Sequence, residues 1–211
     1  MNIHDLDWLD AFPEPTRIPS EDFPDIELYM DQITTFMDTR LENTKRYPED
    51  KILTKTMINN YTKNHLLPPS VKKKYSKEHL FMLIFIYHLK SMLSISDIQT
   101  LLEPVSDSYF SEKEGDKLNL KEIYDRITRM SADRHPDIEA DIQKVLDQTD
   151  ASFDDYALTR EAADYLDAFS FIYQLCYDIY VRKQLIEKFI DHYREEHPSR
   201  KGKKKKDEKK D

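Results

Sequence analysis

The chain has 211 residues, of which only two are glycine and one is cysteine, and its formal net charge is −9. So few glycines exclude a glycine-rich phosphate-binding loop, and the single cysteine excludes an intrachain disulfide or a multi-cysteine metal site. No apolar run approaches the roughly 20 residues of a membrane span, and the first ten residues are acidic. We therefore expect a cytoplasmic protein without a membrane segment.

The charge is distributed unevenly along the chain. Residues 45–79 carry nine basic and three acidic side chains, a net +6, and residues 200–211 carry eight and three, a net +5. Subtracting both from −9 leaves −20 on the remaining residues. Two basic islands on an acidic body indicate a localised anionic partner.

The first predicted segment, residues 1–19, contains three prolines and is expected to be an extended arm. The side chains that would anchor this arm to the core are Trp8, Leu9 and Phe12. A helix is expected to begin near Pro24, because proline suits the first turn of a helix.

A short helix is predicted from Thr54 to Asn64, with Thr54 as its N-cap and Asn64 as the left-handed residue that closes it. Pro68 and Pro69 then exclude helix. Residues 70–75 are long enough to form a small β-loop, and this loop carries three consecutive lysines.

Two further helices are predicted to begin after serine caps. Ser76 caps the first, and Ser94 caps the second with Asp97 in capping-box register. Pro104 is expected to end the second helix, and residues 105–118 are expected to form a loop.

The C-terminal half predicts helices at about 119–131 and 136–148, followed by a stretch from 159 to 197 without proline or glycine. Apolar or aromatic residues occupy ten of the eleven a and d positions of its heptads, Lys183 being the exception, which predicts one long helix. Cys176 lies at an a position and is expected to be a buried apolar residue.

The order of short helix, Pro-Pro turn, basic loop and two capped helices resembles the MerR-type winged helix-turn-helix. The residues that carry this resemblance are Ile58, Tyr61, Leu66, Leu67, Pro68, Lys72–Lys74, Tyr75 and the segment 89–102. The strings ILTKTMINNYTKN and KKYSKEHL are similar to those of an uncharacterised bacterial family known only as a domain of unknown function. The MerR resemblance implies DNA binding and dimerisation through a long helix.

On the short helix, polar and basic side chains lie away from the apolar side. Asparagine can pair bidentately with an adenine edge in the major groove, whereas lysine and threonine mostly contact phosphates. The basic loop would be a wing that crosses the neighbouring backbone. The residues predicted to contact double-stranded DNA are Lys55, Thr56, Asn59, Asn60, Tyr61, Lys63, Lys72, Lys73, Lys74 and Tyr75.

The apolar face of the long helix has three interpretations: core of the C-terminal domain, homodimer interface, or lining of a ligand pocket. A protein that reads paired half-sites needs two-fold symmetry, so we expect a homodimer. The predicted interface residues are Tyr165, Phe169, Ile172, Cys176, Ile179, Ile186 and Ile190.

Catalytic and metal-binding patterns are missing from the sequence. His79 and His88 are nine residues apart on different faces of one predicted helix, and acidic pairs such as Asp154 and Asp155 are adjacent. We therefore expect no catalytic residue, no metal, no cofactor and no enzymatic activity; the sequence does not specify a small-molecule effector.

The sequence as a whole predicts an all-α protein with four parts. These are the extended arm (1–19), a MerR-like winged helix-turn-helix domain (20–104), a helical dimerisation domain with one long helix (105–198) and a disordered basic tail (199–211). The predicted function is a DNA-binding transcriptional regulator. The alternative is a protein-interaction or adaptor module that uses the helix-turn-helix as a scaffold and binds an acidic protein.

Overall fold

The computed structural model describes residues 17–111, 118–150 and 152–197. These residues are mostly helical and contain one small sheet of two strands, β1 (Leu28–Tyr29) and β2 (Lys74–Tyr75). The helices are α1 (Met30–Arg40), α2 (Lys55–Lys63), α3 (Lys77–Leu89), α4 (Ile95–Tyr109), α5 (Leu120–Asp133), α6 (His135–Thr149) and α7 (Arg160–Glu196). The predictions for the arm, its anchors Trp8, Leu9 and Phe12, and the basic tail lie almost entirely outside the described residues.

The small sheet corrects the all-α prediction. β1 and β2 are antiparallel, with Leu28 opposite Tyr75 and Tyr29 opposite Lys74. Leu28 is buried and Tyr29 is exposed, which is the alternation of a strand with one face on the core. The predicted β-loop at 70–75 therefore has a partner strand that was not predicted.

The first helix begins later than its sequence suggests. A start near Pro24 was predicted, but α1 begins at Met30, where the backbone N–H of Tyr29 donates to the Gln32 side chain at 2.8 Å. Ile26 is 68% exposed, so it does not belong to the buried face of a helix. The prediction was wrong because pairing with β2 holds the preceding residues in extended conformation.

The described residues form two compact units. The first contains residues 17–111, 118–129 and 187–197, and the second contains residues 130–150 and 152–186. α5 and α7 each contribute residues to both units.

The core of the first unit includes an aromatic cluster of Phe23, Phe81 and Tyr124. The Tyr124 ring stacks on Phe81 at 4.6 Å between centroids, and Phe23 packs edge-on against Tyr124 at 5.4 Å. The Tyr124 hydroxyl donates to the carbonyl of Ile18 at 2.7 Å. The segment that leads into the domain is thereby fixed to α5.

The predicted N-caps of α3 and α4 are confirmed, but the predicted end of α4 is wrong. Ser94 and Asp97 form the expected capping box, with both backbone N–H groups bonded at 3.2 Å. α4 continues through Pro104 to Tyr109. Val105 and Tyr109 pack against the core of the unit, and this contact offsets the roughly 3 kcal/mol that an interior proline costs a helix.

The C-terminal end of α7 belongs to the first unit and is held there by α4. Arg194 donates to Asp97 at 2.6 Å and to the Thr100 hydroxyl at 2.8 Å. Ile190, one turn earlier, is 3% exposed and lies in the core cluster of this unit. Ile190 was predicted to be a dimer-interface residue, but its side chain is already buried within its own chain.

The second unit has a small core, in which α6 packs on α7. Its buried apolar residues are Leu146, Ala168 and Phe171. Cys176 is exposed, which contradicts the predicted burial of its side chain. Among the described helices, including the 37-residue α7, none combines the length and apolar character needed to cross a membrane.

Candidate nucleic-acid interface

Helix α2 has the predicted extent and is closed at both ends by side-chain and backbone caps. At its start, the N–H of Met57 donates to the Thr54 hydroxyl at 3.2 Å. At its end, the N–H of Leu66 donates to the Tyr61 carbonyl at 2.9 Å, as in a Schellman motif. The left-handed residue is His65, with φ of 58°, and not Asn64 as predicted.

The two sides of α2 differ as the sequence predicts. Ile58 is fully buried in the core of the first unit, and the polar side faces solvent. The exposed residues of this polar side are Lys55, Thr56, Asn59, Asn60 and Lys63. Five of the ten predicted contact residues therefore lie together on one accessible helix surface.

A tight hairpin connects Val71 to Lys74. The N–H of Val71 donates to the carbonyl of Lys74 at 3.0 Å, and the N–H of Lys74 donates to the carbonyl of Val71 at 2.9 Å. The two residues between them, Lys72 and Lys73, have φ of 51° and 64°. Two consecutive positive φ values are typical of a type I′ turn, which favours Asn-Gly.

This turn carries residues that are poorly suited to it. A left-handed conformation costs a residue with a β-carbon roughly 1–2 kcal/mol, and asparagine and glycine are the residues that tolerate it. Lys72 and Lys73 occupy both left-handed positions and are exposed. The hairpin tip therefore projects two ammonium groups at a cost in backbone energy.

Two predicted contact residues are buried and cannot contact a duplex in this structure. Tyr61 is 6% exposed and Tyr75 is 5% exposed, and both belong to the core of the first unit. Tyr61 is three residues from Ile58 and shares its inward face. Tyr75 lies opposite Leu28 in the sheet, on the inward side of the pleat.

Acidic residues that sequence reasoning missed accompany the lysines. Asp25 accepts from Lys77 at 2.7 Å, and this hydrogen bond and the lysine charge hold the pKa of Asp25 below its usual value. The Lys74 ammonium lies 3.8 Å from a carboxylate oxygen of Glu27. The signal that could have located these acids is their alternation, since they occupy every second position leading into β1.

A third pair connects α2 to the same segment. Lys55, at the start of α2, forms an ion pair with Asp31 in the first turn of α1. The Lys74 ammonium lies 5.8 Å from the ring centroid of Tyr29, two residues before Asp31. The start of α2 and the base of the hairpin are therefore both in contact with the segment 27–31.

Three predicted lysines carry no such neutralising partner. Within the described part of the chain, no carboxylate lies at ion-pair distance from Lys63, Lys72 or Lys73, and all three are exposed. The candidate interface consists of the polar side of α2 and the hairpin tip, and it also includes two lysines paired with acids, Lys55 on α2 and Lys74 at the base of the hairpin.

His79 is buried beneath this hairpin. Its Nδ1 accepts the backbone N–H of Ser76 at 3.0 Å, and its ring packs between Tyr75 and Phe110. Burial lowers the pKa of His79, and the carbonyls of Pro69 and Pro68 and the charges of nearby acids offset only part of this effect. The ring is neutral in the folded protein at neutral pH and serves as the reciprocal partner of the α3 cap.

We predict that this histidine makes the fold sensitive to acid. The unfolded chain takes up a proton on His79 below its ordinary pKa of 6.5, whereas the folded chain does not until a lower pH. Stability is therefore lost as the pH falls below about 6.5, by up to about 1.4 kcal/mol per pH unit. Urea unfolding between neutral pH and pH 5 measures this slope.

The matched variant is His79→Gln, since glutamine at this position keeps the reciprocal cap and does not titrate. The slope of its unfolding free energy against pH should be smaller than that of the wild type. The expected difference is up to about 1.4 kcal/mol per pH unit, which corresponds to one proton. Equal slopes for the two proteins would contradict the prediction.

The described residues contain no group of three His, Cys, Asp or Glu side chains that could hold a metal ion. The expectations of no catalytic residue and no cofactor stay predictions.

One family profile matches the chain, that of a domain of unknown function (DUF1836), over residues 18–127. These are 110 of the 211 residues and include both elements of the candidate interface. No curated protein and no solved structure matches the chain.

Proposed function

The chain belongs to the family described as domain of unknown function (DUF1836), and we propose that it is a transcriptional regulator that binds double-stranded DNA. The proposed contacts are the polar side of α2 and the hairpin tip at Lys72 and Lys73. The proposed role is binding and not catalysis.

The hairpin tip is the observation that carries the proposal. Residues in strained backbone conformations cluster at functional sites, so such a pair supports a functional role for its side chains. Here the strained side chains are two neighbouring lysines, both exposed and without a carboxylate partner in the described chain. Such a pair suits the closely spaced phosphates of one nucleic-acid strand.

The polar side of α2 supplies complementary groups. Asn59 and Asn60 are exposed amides that can bond bidentately to an adenine edge, and Lys63 can reach a phosphate. The order of α2, hairpin, α3 and α4 supports a winged helix-turn-helix in which α2 is the recognition helix and the hairpin is the wing.

The acid-paired lysines are compatible with binding. Exposed ion pairs contribute only about 0–1 kcal/mol each, so exchanging Glu27 or Asp31 for a phosphate costs little. The same carboxylates repel a misplaced strand, and they would restrict a duplex to the tip and the helix surface.

The test is the binding of a fluorescent duplex of mixed sequence, followed by anisotropy over a salt series. The triple variant Lys63→Gln, Lys72→Gln and Lys73→Gln removes the unpaired charges. We expect the slope of log affinity against log salt to become less steep by roughly 3, about 1 for each lost phosphate contact.

The matched control removes three basic groups elsewhere, with Lys144→Gln, Arg182→Gln and Lys188→Gln on α6 and α7. This control has the same net charge as the test variant and should bind as the wild type does. Equal loss in both variants would show that only overall charge matters, and no binding by the wild type would refute the proposal.

A protein partner is the second candidate, and one observation favours it. Three apolar side chains surround the hairpin and are unusually exposed: Ile26 at 68%, Val71 at 64% and Tyr29 at 52%. An acidic protein with an apolar centre would fit this surface. Under this alternative, Val71→Ser would abolish partner binding, whereas duplex binding by the wild type would be absent.

A further inference from the structure

Helix α7 carries an apolar face that nothing in the described chain covers. Its members recur three or four residues apart in two adjoining rows, and all are exposed. We call this face the aromatic stripe: Tyr165, Phe169, Ile172, Tyr173, Cys176, Tyr177, Ile179 and Tyr180. Its centre lies about a third of a turn around α7 from Ala168 and Phe171, which pack on α6.

The described part of the second unit buries few apolar side chains for its composition. In its described part, Leu146, Ala168 and Phe171 are the buried apolar residues, whereas the stripe alone exposes seven large apolar side chains. At about 100 Å² for each half-exposed side chain, the stripe offers roughly 700–800 Å². This area is close to the roughly 800 Å² that each partner contributes to a stable protein interface.

We propose that the aromatic stripe binds the aromatic stripe of a second copy of the chain, with the two α7 helices antiparallel. The two-fold axis passes close to Ile172 and Tyr173. This inference does not rest on nucleic-acid binding, because no residue of the stripe belongs to the DNA-contacting surface proposed above.

The charges at the two ends of the stripe specify the antiparallel arrangement. The stripe runs from Tyr165 to Tyr180, so its centre lies between Ile172 and Tyr173. Glu161 and Lys183 are exposed beyond its two ends, each eleven residues from Ile172. An antiparallel pair therefore places Glu161 of each copy opposite Lys183 of the other.

A parallel pair would bring like charges together, Glu161 beside Glu161 and Lys183 beside Lys183. The centre defined by the charges and the centre defined by the apolar residues coincide within one residue. A face whose charge pattern is complementary to its own reverse fits a copy of itself better than an unrelated partner.

The proposed interface differs from the sequence-based prediction at one end. Ile190 is in the core of the first unit and is left out, and Ile186 lies beyond Lys183 at the margin. The added residues are Tyr173, Tyr177 and Tyr180, which widen the surface beyond a narrow heptad seam.

Sedimentation of the full chain at micromolar concentration tests the second copy. We expect a dimer for the wild type and a monomer for Phe169→Glu and for Tyr173→Glu, each checked for helix content by circular dichroism. The control is Leu185→Glu, an exposed apolar residue nine positions after Cys176 and so half a turn around the helix from it, which should stay a dimer.

A thiol crosslink tests the orientation, because the chain has only one cysteine. In the antiparallel pair, Ile172→Cys in a Cys176→Ser background should form a covalent dimer with a short bis-maleimide. The two native Cys176 residues would be displaced by about 12 Å along the helices, so the wild type should crosslink much less.

Three results would overturn the proposal. Equal crosslinking through Cys176 and through a cysteine at position 172 would indicate parallel helices. A monomeric wild type would exclude the second copy. A monomer that dimerises only after residues 1–16 are deleted would assign the stripe to the chain's own N-terminal segment.

Discussion

Replacing Lys72 by Asn and Lys73 by Gly is expected to make the protein more stable and a weaker DNA binder at the same time. Both residues have positive φ in a tight hairpin, where Asn-Gly is favoured. The variant should gain about 1–2 kcal/mol in unfolding free energy, after allowing for the greater entropy of glycine in the unfolded chain. Urea unfolding and duplex anisotropy on the same preparation measure the two effects.

The expected loss in binding follows from two phosphate contacts. A counterion-release slope of about 0.9 per contact implies roughly 50-fold weaker binding at about 0.1 M salt. The companion variant Lys72→Gln with Lys73→Gln separates charge from strain, since it should lose similar affinity and gain no stability. If the Asn-Gly variant is no more stable than the Gln-Gln variant, the hairpin is not strained.

The substitution Tyr124→Phe is expected to destabilise the first unit by about 1–3 kcal/mol. The Tyr124 ring is fully buried, and its hydroxyl donates to the Ile18 carbonyl at 2.7 Å. Burial raises the pKa of this phenol well above its usual value, so the hydroxyl keeps its proton. Phenylalanine keeps the stacking on Phe81 but leaves a buried carbonyl without its donor.

Hydrogen exchange measures the local effect along with urea unfolding. Amides near Ile18 should exchange faster in Tyr124→Phe than in the wild type. Tyr47→Phe is the control, because Tyr47 is 50% exposed, and it should change stability by a few tenths of a kcal/mol at most. Unchanged exchange near Ile18 would show that the hydroxyl does not fix this segment to α5.

Local chemistry made several features of the fold predictable. Thr54 and Ser94 cap helices through contacts three residues away, so the sequence nearby contains both partners. The long helix is likewise visible as an uninterrupted heptad pattern. The heptad pattern shows which face of the helix is apolar, but it does not show what packs against that face. This is why burial of Cys176 within the chain was predicted and is not observed.

Contacts between distant residues account for the errors in the fold. β1 exists through pairing with β2, in which Leu28 and Tyr75 are 47 positions apart and Tyr29 and Lys74 are 45 positions apart. The continuation of α4 through Pro104 depends on packing in the core of the first unit. Neither contact has a signature in the neighbouring sequence.

The exposed residues of the candidate site on α2 could be predicted from the sequence, whereas the acidic partners of its lysines could not. Helical spacing places Asn59 and Lys63 outward and Tyr61 inward beside Ile58, as observed, and so argues against Tyr61 as a DNA contact. The pairing of Lys55 with Asp31 joins positions 24 apart and could not be read from charge runs alone. The interface therefore contains acidic as well as basic side chains, and its net positive charge is lower than the number of lysines indicates.

The strained hairpin tip has a consequence for how its sequence should evolve. Lysine and asparagine codons differ only in their third base, so a single mutation at Lys72 would ease the backbone. Proteins gather such stabilising changes readily wherever selection is indifferent. In related proteins that no longer bind the partner of this hairpin, we expect asparagine and glycine to replace the two lysines. The residues found at these two positions would therefore indicate whether a related protein still binds that partner.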